Sequence, residues 1–497
     1  MGLLWPILRQ AILKPHRVAV IDDNRRYTYG RLAAASFFVA DQIDRMTQSR
    51  HVGLMLPTSG AFPVSLLGSW LARRVAVPLN YLLARDELHY VIADSDIDTV
   101  LTSELFLDFL GGPSVLPDHI RTIKLEEVDF SGFPNPRWPP PFDDSDLAVL
   151  LYTSGTSGRP KGVMLTHANL QADTEASIVH SGITEADGFL GVLPQFHSFG
   201  LTALTLIPLC VGATIVYTAR FVPKRLVSLI KKHRPEIFIA VPSMYGAMLS
   251  VKDATPEDFR SIRLAISGGE PLPESVYDAY LERFELEIFE GYGLTETSPA
   301  THWSTPEQHR LHSVGRSLPD VRQFIVDGQD RVLEADQEGE IILAGPVVMK
   351  GYYKQPDLTS EVIFDLEIPG QENPIRAFRT GDIGKLDRDG FLYITGRKKE
   401  MMIIGGENVF PREIEEVLNQ HSAIADSAVV GRSDGLRGEV PVAFVEVLEG
   451  AGLDEAEVRS HCRKLLAQFK VPREVKVVDE LPRNPTGKIL RRKLKTD

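Results

Sequence analysis

Along roughly the first 290 residues, short apolar runs alternate with amphipathic stretches, the pattern of a parallel sheet whose strands are joined by crossover helices. Residues 52–57, 75–78, 148–152, 214–218, 237–241 and 262–266 are the predicted strands. Helical spacing of apolar positions fits 226–232 and 274–284. Residues 198–217 carry no charge, but Gly200, Pro208 and Gly212 divide them. A buried helix, a turn and a strand explain that stretch better than a membrane span. The Pro-rich residues 133–142, FPNPRWPPPF, read as a stiff connector.

From about residue 314 to 393 the texture changes to short strands separated by Gly, Asp and Pro, as in GEIILAGP and FRTGDIG, which predicts a small β-rich subdomain. The basic run GRKKE after Thr395 interrupts it, and an α+β segment follows, with helices near 411–419 and 455–467. The expected class is α/β. A large N-terminal domain, 1–395, is built of α/β subdomains plus the β-rich one, and a small α+β C-terminal domain, 396–497, follows.

Composition narrows the partners. The 497 residues hold 54 basic and 67 acidic side chains, a formal net charge of −13, so nucleic acid is not an expected partner. No polybasic helix points to a lipid surface, although peripheral contact stays open. The only cysteines, Cys210 and Cys462, lie far apart without metal-ligand spacing, which suits core thiols in a reducing compartment. The opening MGLLWPILRQ is too short an apolar run for a secretory signal, and Pro6 stands where a myristoylation signal needs Ser or Thr. The closing KTD is no peroxisomal address, so the expected location is cytoplasmic.

Six motifs carry chemistry. Residues 152–162, YTSGTSGRPKG, lie between two apolar runs. Gly155 and Gly158 let backbone approach a phosphate, Thr153, Ser154, Thr156 and Ser157 add hydroxyls, and Lys161 adds a point charge. It is not a Walker A loop. In residues 290–298, EGYGLTETS, Tyr292 between Gly291 and Gly293 suits stacking on a purine, and Thr295 and Glu296 offer a hydroxyl and a hard carboxylate for Mg²⁺. Residues 267–273, SGGEPLP, form a Gly-rich turn after a strand, where open α/β sheets bind ligands. His197 in FHS, a lone histidine, reads as structural before catalytic, while Asp382 in RTGDIG reads equally as a ribose acceptor or a turn cap, and Lys488 in PTGK as a presented lysine or part of a basic tail.

Together and in their order along the chain, YTSGTSGRPKG, EGYGLTET, RTGDIG, the GRKKE run, GGEN and NPTGKI resemble the adenylate-forming superfamily of acyl-CoA synthetases, peptide-synthetase adenylation domains and luciferases, over about residues 15–495. The resemblance implies stacked subdomains with a mobile C-terminal domain, and an enzyme that joins a carboxylic acid to ATP as acyl-AMP and passes the acyl group to a thiol. By similarity, Thr153 to Lys161 hold the β- and γ-phosphates. Tyr292 of the segment Glu290–Gly293 stacks on adenine, with Gly268, Gly269, Glu270 and Pro271 on its other side. Asp382 and Arg397 hold the ribose, Thr295 touches the α-phosphate, Glu296 ligates Mg²⁺, and Lys488 is the adenylation lysine. Lys399 matches the hinge, and Gly405 and Gly406, before Glu407 and Asn408, line the path of the pantetheine arm.

His197 matches the mouth of the acyl pocket. The motif FHSFG lacks the Asp that amino-acid-activating members carry, so an uncharged acid, aliphatic or aromatic, is expected. Glu270 departs from the small residue common in relatives; it either meets the adenine amino group or points to solvent. No insertion follows the hinge region as in fatty-acyl-AMP ligases, which favours CoA over a carrier-protein pantetheine arm. Nothing requires luciferase-like oxygen chemistry. The reading is a fatty-acid–CoA ligase using ATP, Mg²⁺ and CoA, with an aryl-CoA ligase as the alternative.

Overall fold

The strand Val75–Pro78 coincides with its apolar run, and every residue in it is buried. The run 52–57 yields the shorter strand His51–Leu54, with the next N–H, of Met55, still reaching the Leu101 carbonyl at 3.0 Å. The run 262–266 shifts to Leu264–Gly268, since the Ile262 N–H closes a turn on the Phe259 carbonyl at 2.8 Å. Helices Glu274–Phe284 and Pro411–Asn419 match their expected bounds, whereas the third, Glu455–Leu465, stops two residues early where Leu466 turns extended. The computed structural model describes residues 2–153, 159–435, 438–448, 450–483 and 488–495.

Two large sheets are parallel inside, one antiparallel at one edge and the other at both, which the expectation of parallel sheets did not include. In the seven-stranded sheet, Leu147–Thr153 lies beside Val75–Pro78 in parallel and beside Lys161–Thr166 in antiparallel. In the eight-stranded sheet, Gly188–Gly191, Ile237–Ala240, Leu264–Gly268 and Ile288–Gly293 run parallel, and Ala300–Trp303 closes one edge antiparallel. A shared hydrophobic cluster joins the two sheets through the helices Tyr29–Met46 and Ala61–Leu71. Trp70 is fully buried there, with its indole N–H on the Ala148 carbonyl at 2.9 Å. Burying a side chain of that size contributes about 1.5–3 kcal/mol.

The β-rich region is an antiparallel sheet of Arg322–Val326, Gly339–Ala344, Ile363–Leu366, Ile375–Leu386 and Leu392–Arg397. Residues after 400 form a separate mixed sheet, in which Glu474–Val478 pairs in parallel with Gly438–Val447, packed on helices Pro411–Asn419 and Glu455–Leu465. Residues 198–217 form a helical stretch with a π-turn at Thr202–Leu206, a left-handed Gly212 and the strand Thr214–Tyr217. Among the described residues no helix is long and apolar enough to cross a membrane. Both cysteines are free and buried.

Candidate active site

Two parallel strands end side by side, with Gly268 opposite Gly291. Beyond the first, Gly269 takes φ +87° and turns the chain into Glu270–Pro271. Glu290 on the second strand accepts the Leu272 N–H at 3.3 Å, so it braces this turn. Burial, only partly offset by Arg412, raises its carboxyl above the usual range. Gly293 admits no side chain, since a Cβ would fall 1.9 Å from the Pro299 carbonyl oxygen.

Tyr292 leaves this strand toward the β-rich sheet. Its hydroxyl donates to Asp382 Oδ2 at 2.7 Å, and Arg397 Nε lies 3.2 Å from Oδ1. Asp382 and Arg397 face each other because their strands pair at that register. The Asp382 carboxyl is raised by burial, with Arg397 opposing. The sequence-predicted Tyr292, Asp382 and Arg397 therefore meet in one cluster.

Thr295 begins a short turn and is buried; its Oγ1 shares a hydrogen bond with Ser198 Oγ at 3.1 Å. His197 caps the helix containing Ser198, and its Nδ1 accepts the Phe199 N–H at 3.3 Å. Burial first, and the Lys488 charge second, lowers the His197 pKa to about 4. The imidazole is therefore neutral at pH 7, and with Nδ1 accepting it carries its proton on Nε2. It is suited to donate a hydrogen bond rather than to act as a base.

Glu296 Oε1 accepts the Tyr352 hydroxyl at 2.9 Å, and Lys161 Nζ sits over the same ring, 5.3 Å from its centroid. Lys161 pairs with Thr153 across the antiparallel strands, so these two frame the segment between them. Ser154, Gly155, Thr156, Ser157 and Gly158 lie outside the described residues. The Lys161 ammonium pKa is lowered by burial and by Lys399, against the pull of Glu296. Lys399 is exposed in the turn after Arg397.

Lys488 reaches this cluster from the far end of the chain. Its pKa is pushed down to about 8, by burial first and by Arg397 next, against Glu400, Glu270 and Asp382. Glu270, expected at the adenine or in solvent, accepts the Ile489 N–H on its Oε1 at 3.2 Å. Gly405 and Gly406 form an exposed hairpin turn between Met402–Ile404 and Glu407–Val409, with φ +63° and +91°.

Ser198 and Tyr352 were missed by the sequence reading. Ser198 was legible as a neighbour of His197, but the Tyr352 segment carries no local signal; only the pairing of Gly351–Tyr352 with residues 163–164 brings it in. Among the described residues no group of three or more His, Cys, Asp or Glu gathers as a metal site.

Residues 7–353 match the AMP-binding enzyme family, and 413–488 match the AMP-binding enzyme C-terminal domain. The chain is an AMP-binding enzyme. This AMP-binding enzyme is 32% identical to the long-chain-fatty-acid–CoA ligase of Bacillus subtilis (strain 168), over 97% of its own length and 91% of that protein. It is 34% identical to the sulfoacetate–CoA ligase of Cupriavidus necator, over 95% and 93%. Its fold superposes on o-succinylbenzoate CoA synthetase from Bacillus subtilis, in complex with an acyl-adenylate intermediate, with a TM-score of 0.86 at 30% identity, covering 100% and 98% of the two chains.

The family uses ATP, Mg²⁺ and CoA. The residues present in this AMP-binding enzyme fit the nucleotide and its metal. Ser267 Oγ is buried beside the Gly268–Gly269 turn without a hydrogen-bond partner, and Glu296 supplies a hard oxygen next to Lys161.

Proposed function

We propose that the chain is an AMP-forming acid–CoA ligase: it activates a carboxylic acid with ATP to acyl-AMP and transfers the acyl group to the CoA thiol. The observation that carries this is the convergence of Lys488, Asp382, Arg397 and Tyr292 at the ends of two parallel strands. In this reading Tyr292 and the backbone of the Gly268–Pro271 turn hold adenine, Asp382 and Arg397 hold ribose, and Thr153 to Lys161 hold the outer phosphates. Glu296 would hold Mg²⁺, which neutralises phosphate charge when bound. Thr295 contacts the α-phosphate, and the neutral His197 Nε2–H orients the acid. Lys488 bridges the attacking carboxylate and the α-phosphate, where negative charge develops in line. The chain divides near residue 395, and Lys399 is the hinge that later brings Gly405 and Gly406 to the pantetheine arm.

The acid is proposed to be hydrophobic and fatty. No charged residue occurs in 198–217, the helical wall beside His197, so a second charge on the acid finds no partner there. An aryl acid is the second reading: Phe199, two residues from His197, offers an aromatic ring on which a flat acid packs. AMP release from ATP and Mg²⁺ across acids from acetate through C18 chains to benzoates and cinnamates, with and without CoA, tests both. CoA-dependent release peaking on long chains supports the fatty reading, a peak on benzoates the aryl one. Pyrophosphate formation without CoA-dependent turnover would move the acceptor to a carrier protein.

The lowered Lys488 pKa gives a pH prediction. The ammonium is present below about pH 8 and lost above it, so kcat/KM for acyl-AMP formation falls as pH rises through about 8. Lys488→Arg, always charged, removes that limb even where its absolute rate is lower. A limb that persists in Lys488→Arg assigns it to another group.

A further inference from the structure

Glu270 is the one charged side chain on the turn after Leu264–Gly268, and it does something that neither expectation foresaw. Its Oε1 accepts the backbone N–H of Ile489, the residue that follows Lys488, across a chain separation of 219 residues. The donor belongs to a braced neck. Ile489 is bridged to Arg483, Leu490 N–H donates to the Pro482 carbonyl at 2.6 Å, and Arg483 is paired with Asp426 at 2.5 Å and with Glu446 at 3.4 Å. Lys488 therefore stands on a neck tied into the C-terminal sheet, and Glu270 ties that neck to the turn that faces the Tyr292 cluster.

Other hydrogen bonds cross between residues before 396 and after 400, but elsewhere. Arg412 Nη1 donates to the Ile394 carbonyl at 2.7 Å, and Gln420 Nε2 lies 3.4 Å from Glu274 at the surface. The Glu270 bond lies next to Lys488, on the amide of the residue that follows it. Its surroundings are charged on both sides: burial raises the carboxyl above the usual range, with Lys488 and Arg483 opposing and Asp426 adding to the rise. Such a bond is local, charge-assisted and made to a backbone amide, so it fixes the position of a segment without adding a group to the chemistry.

We infer that Glu270 is a positioning residue for acyl-AMP formation: by gripping the Ile489 N–H it holds Lys488 at the Tyr292–Asp382 cluster, and it lets go when the C-terminal part moves on. The inference rests on the acyl-AMP chemistry proposed above and deepens it. Rotation about Lys399 would break the Glu270–Ile489 bond, because its two ends lie on opposite sides of that hinge. Glu270 thus acts on the first half-reaction and not on the second, and it does so through Lys488 rather than through the nucleotide.

The test compares the wild-type chain with Glu270→Ala and Glu270→Gln, using the acid that turns over best. Glu270→Ala is expected to lower single-turnover acyl-AMP formation roughly tenfold, with the ATP KM within about twofold of wild type. Thioester formation from supplied acyl-AMP stays unchanged or rises. Glu270→Gln keeps an acceptor for the amide and recovers most of the loss. Hydrogen–deuterium exchange of the peptide containing Ile489 reads the bond without any substrate: faster in Glu270→Ala, near wild type in Glu270→Gln. A raised ATP KM at unchanged rate overturns the inference in favour of an adenine contact. Equal loss of both half-reactions, or unaltered exchange at Ile489, overturns it too. If the wild-type chain forms no acyl-AMP from any acid, the functional reading fails, while the exchange comparison still reports whether Glu270 holds the neck.

Discussion

Lys488→Ala is expected to lose acyl-AMP formation by about 10²–10³-fold, while thioester formation from supplied acyl-AMP changes by no more than a few-fold. The magnitude is that of removing one preorganised electrostatic contact from a charge-developing transition state, roughly 3–4 kcal/mol. The structure explains why the contact is preorganised. Lys488 is held partly out of water among Glu270, Glu400 and Asp382, with its ammonium pKa already pushed down to about 8 by burial. A desolvated cation pays little reorganisation when negative charge appears beside it. Single-turnover rates of the two half-reactions, measured separately, check this. Equal loss in both would place Lys488 outside the adenylation step and make it a structural lysine.

Lys399→Pro is expected to do the reverse: acyl-AMP forms at close to the wild-type rate, and thioester formation falls by on the order of 10²-fold. Lys399 occupies an exposed turn in which Glu400 N–H donates to the Arg397 carbonyl at 3.0 Å and Lys398 N–H to the Gly381 carbonyl at 2.9 Å. Arg397 on one side is fixed by its strand pairing to Asp382, and Glu400 on the other is fixed by Arg491, which also grips Glu415. Backbone rotation between two anchored neighbours must be taken up at residue 399, and proline locks its φ. The arrangement with Lys488 in place is already formed, so the first half-reaction survives. Unchanged thioester turnover in Lys399→Pro would remove the hinge from this position.

The two variants together separate chemistry from movement. If Lys488→Ala fails only in the first step and Lys399→Pro only in the second, one chain uses two arrangements of the same C-terminal segment. The exposed Gly405–Gly406 turn is then the face that serves the second, and its positive φ values are those glycine takes without strain.

Much of the framework was legible in the sequence because its cause is local. Val75–Pro78, Glu274–Phe284 and Pro411–Asn419 formed where apolar spacing placed them, since the period of a strand or helix is written in neighbouring residues. The Tyr292, Asp382, Thr295 and Glu296 motifs were legible for a related reason: a glycine-flanked aromatic or a carboxylate in a turn advertises its chemistry within a few positions. Where the sequence reading slipped, the cause was a neighbour it could not see. Leu264–Gly268 starts late because Ile262 belongs to the preceding turn, and the parallel sheets acquire antiparallel edges from hairpin partners.

By itself, then, the sequence determined the α/β class, the order of the motifs and the residue types available for the chemistry. Only the tertiary structure decided which of them touch. It put the Tyr292 hydroxyl on Asp382, the Tyr352 hydroxyl on Glu296, Ser198 on Thr295 and Glu270 on the amide beside Lys488. These contacts join residues 56 to 219 positions apart. Sheet order and the docking of the last segment bring them within hydrogen-bond reach, and no local period encodes either.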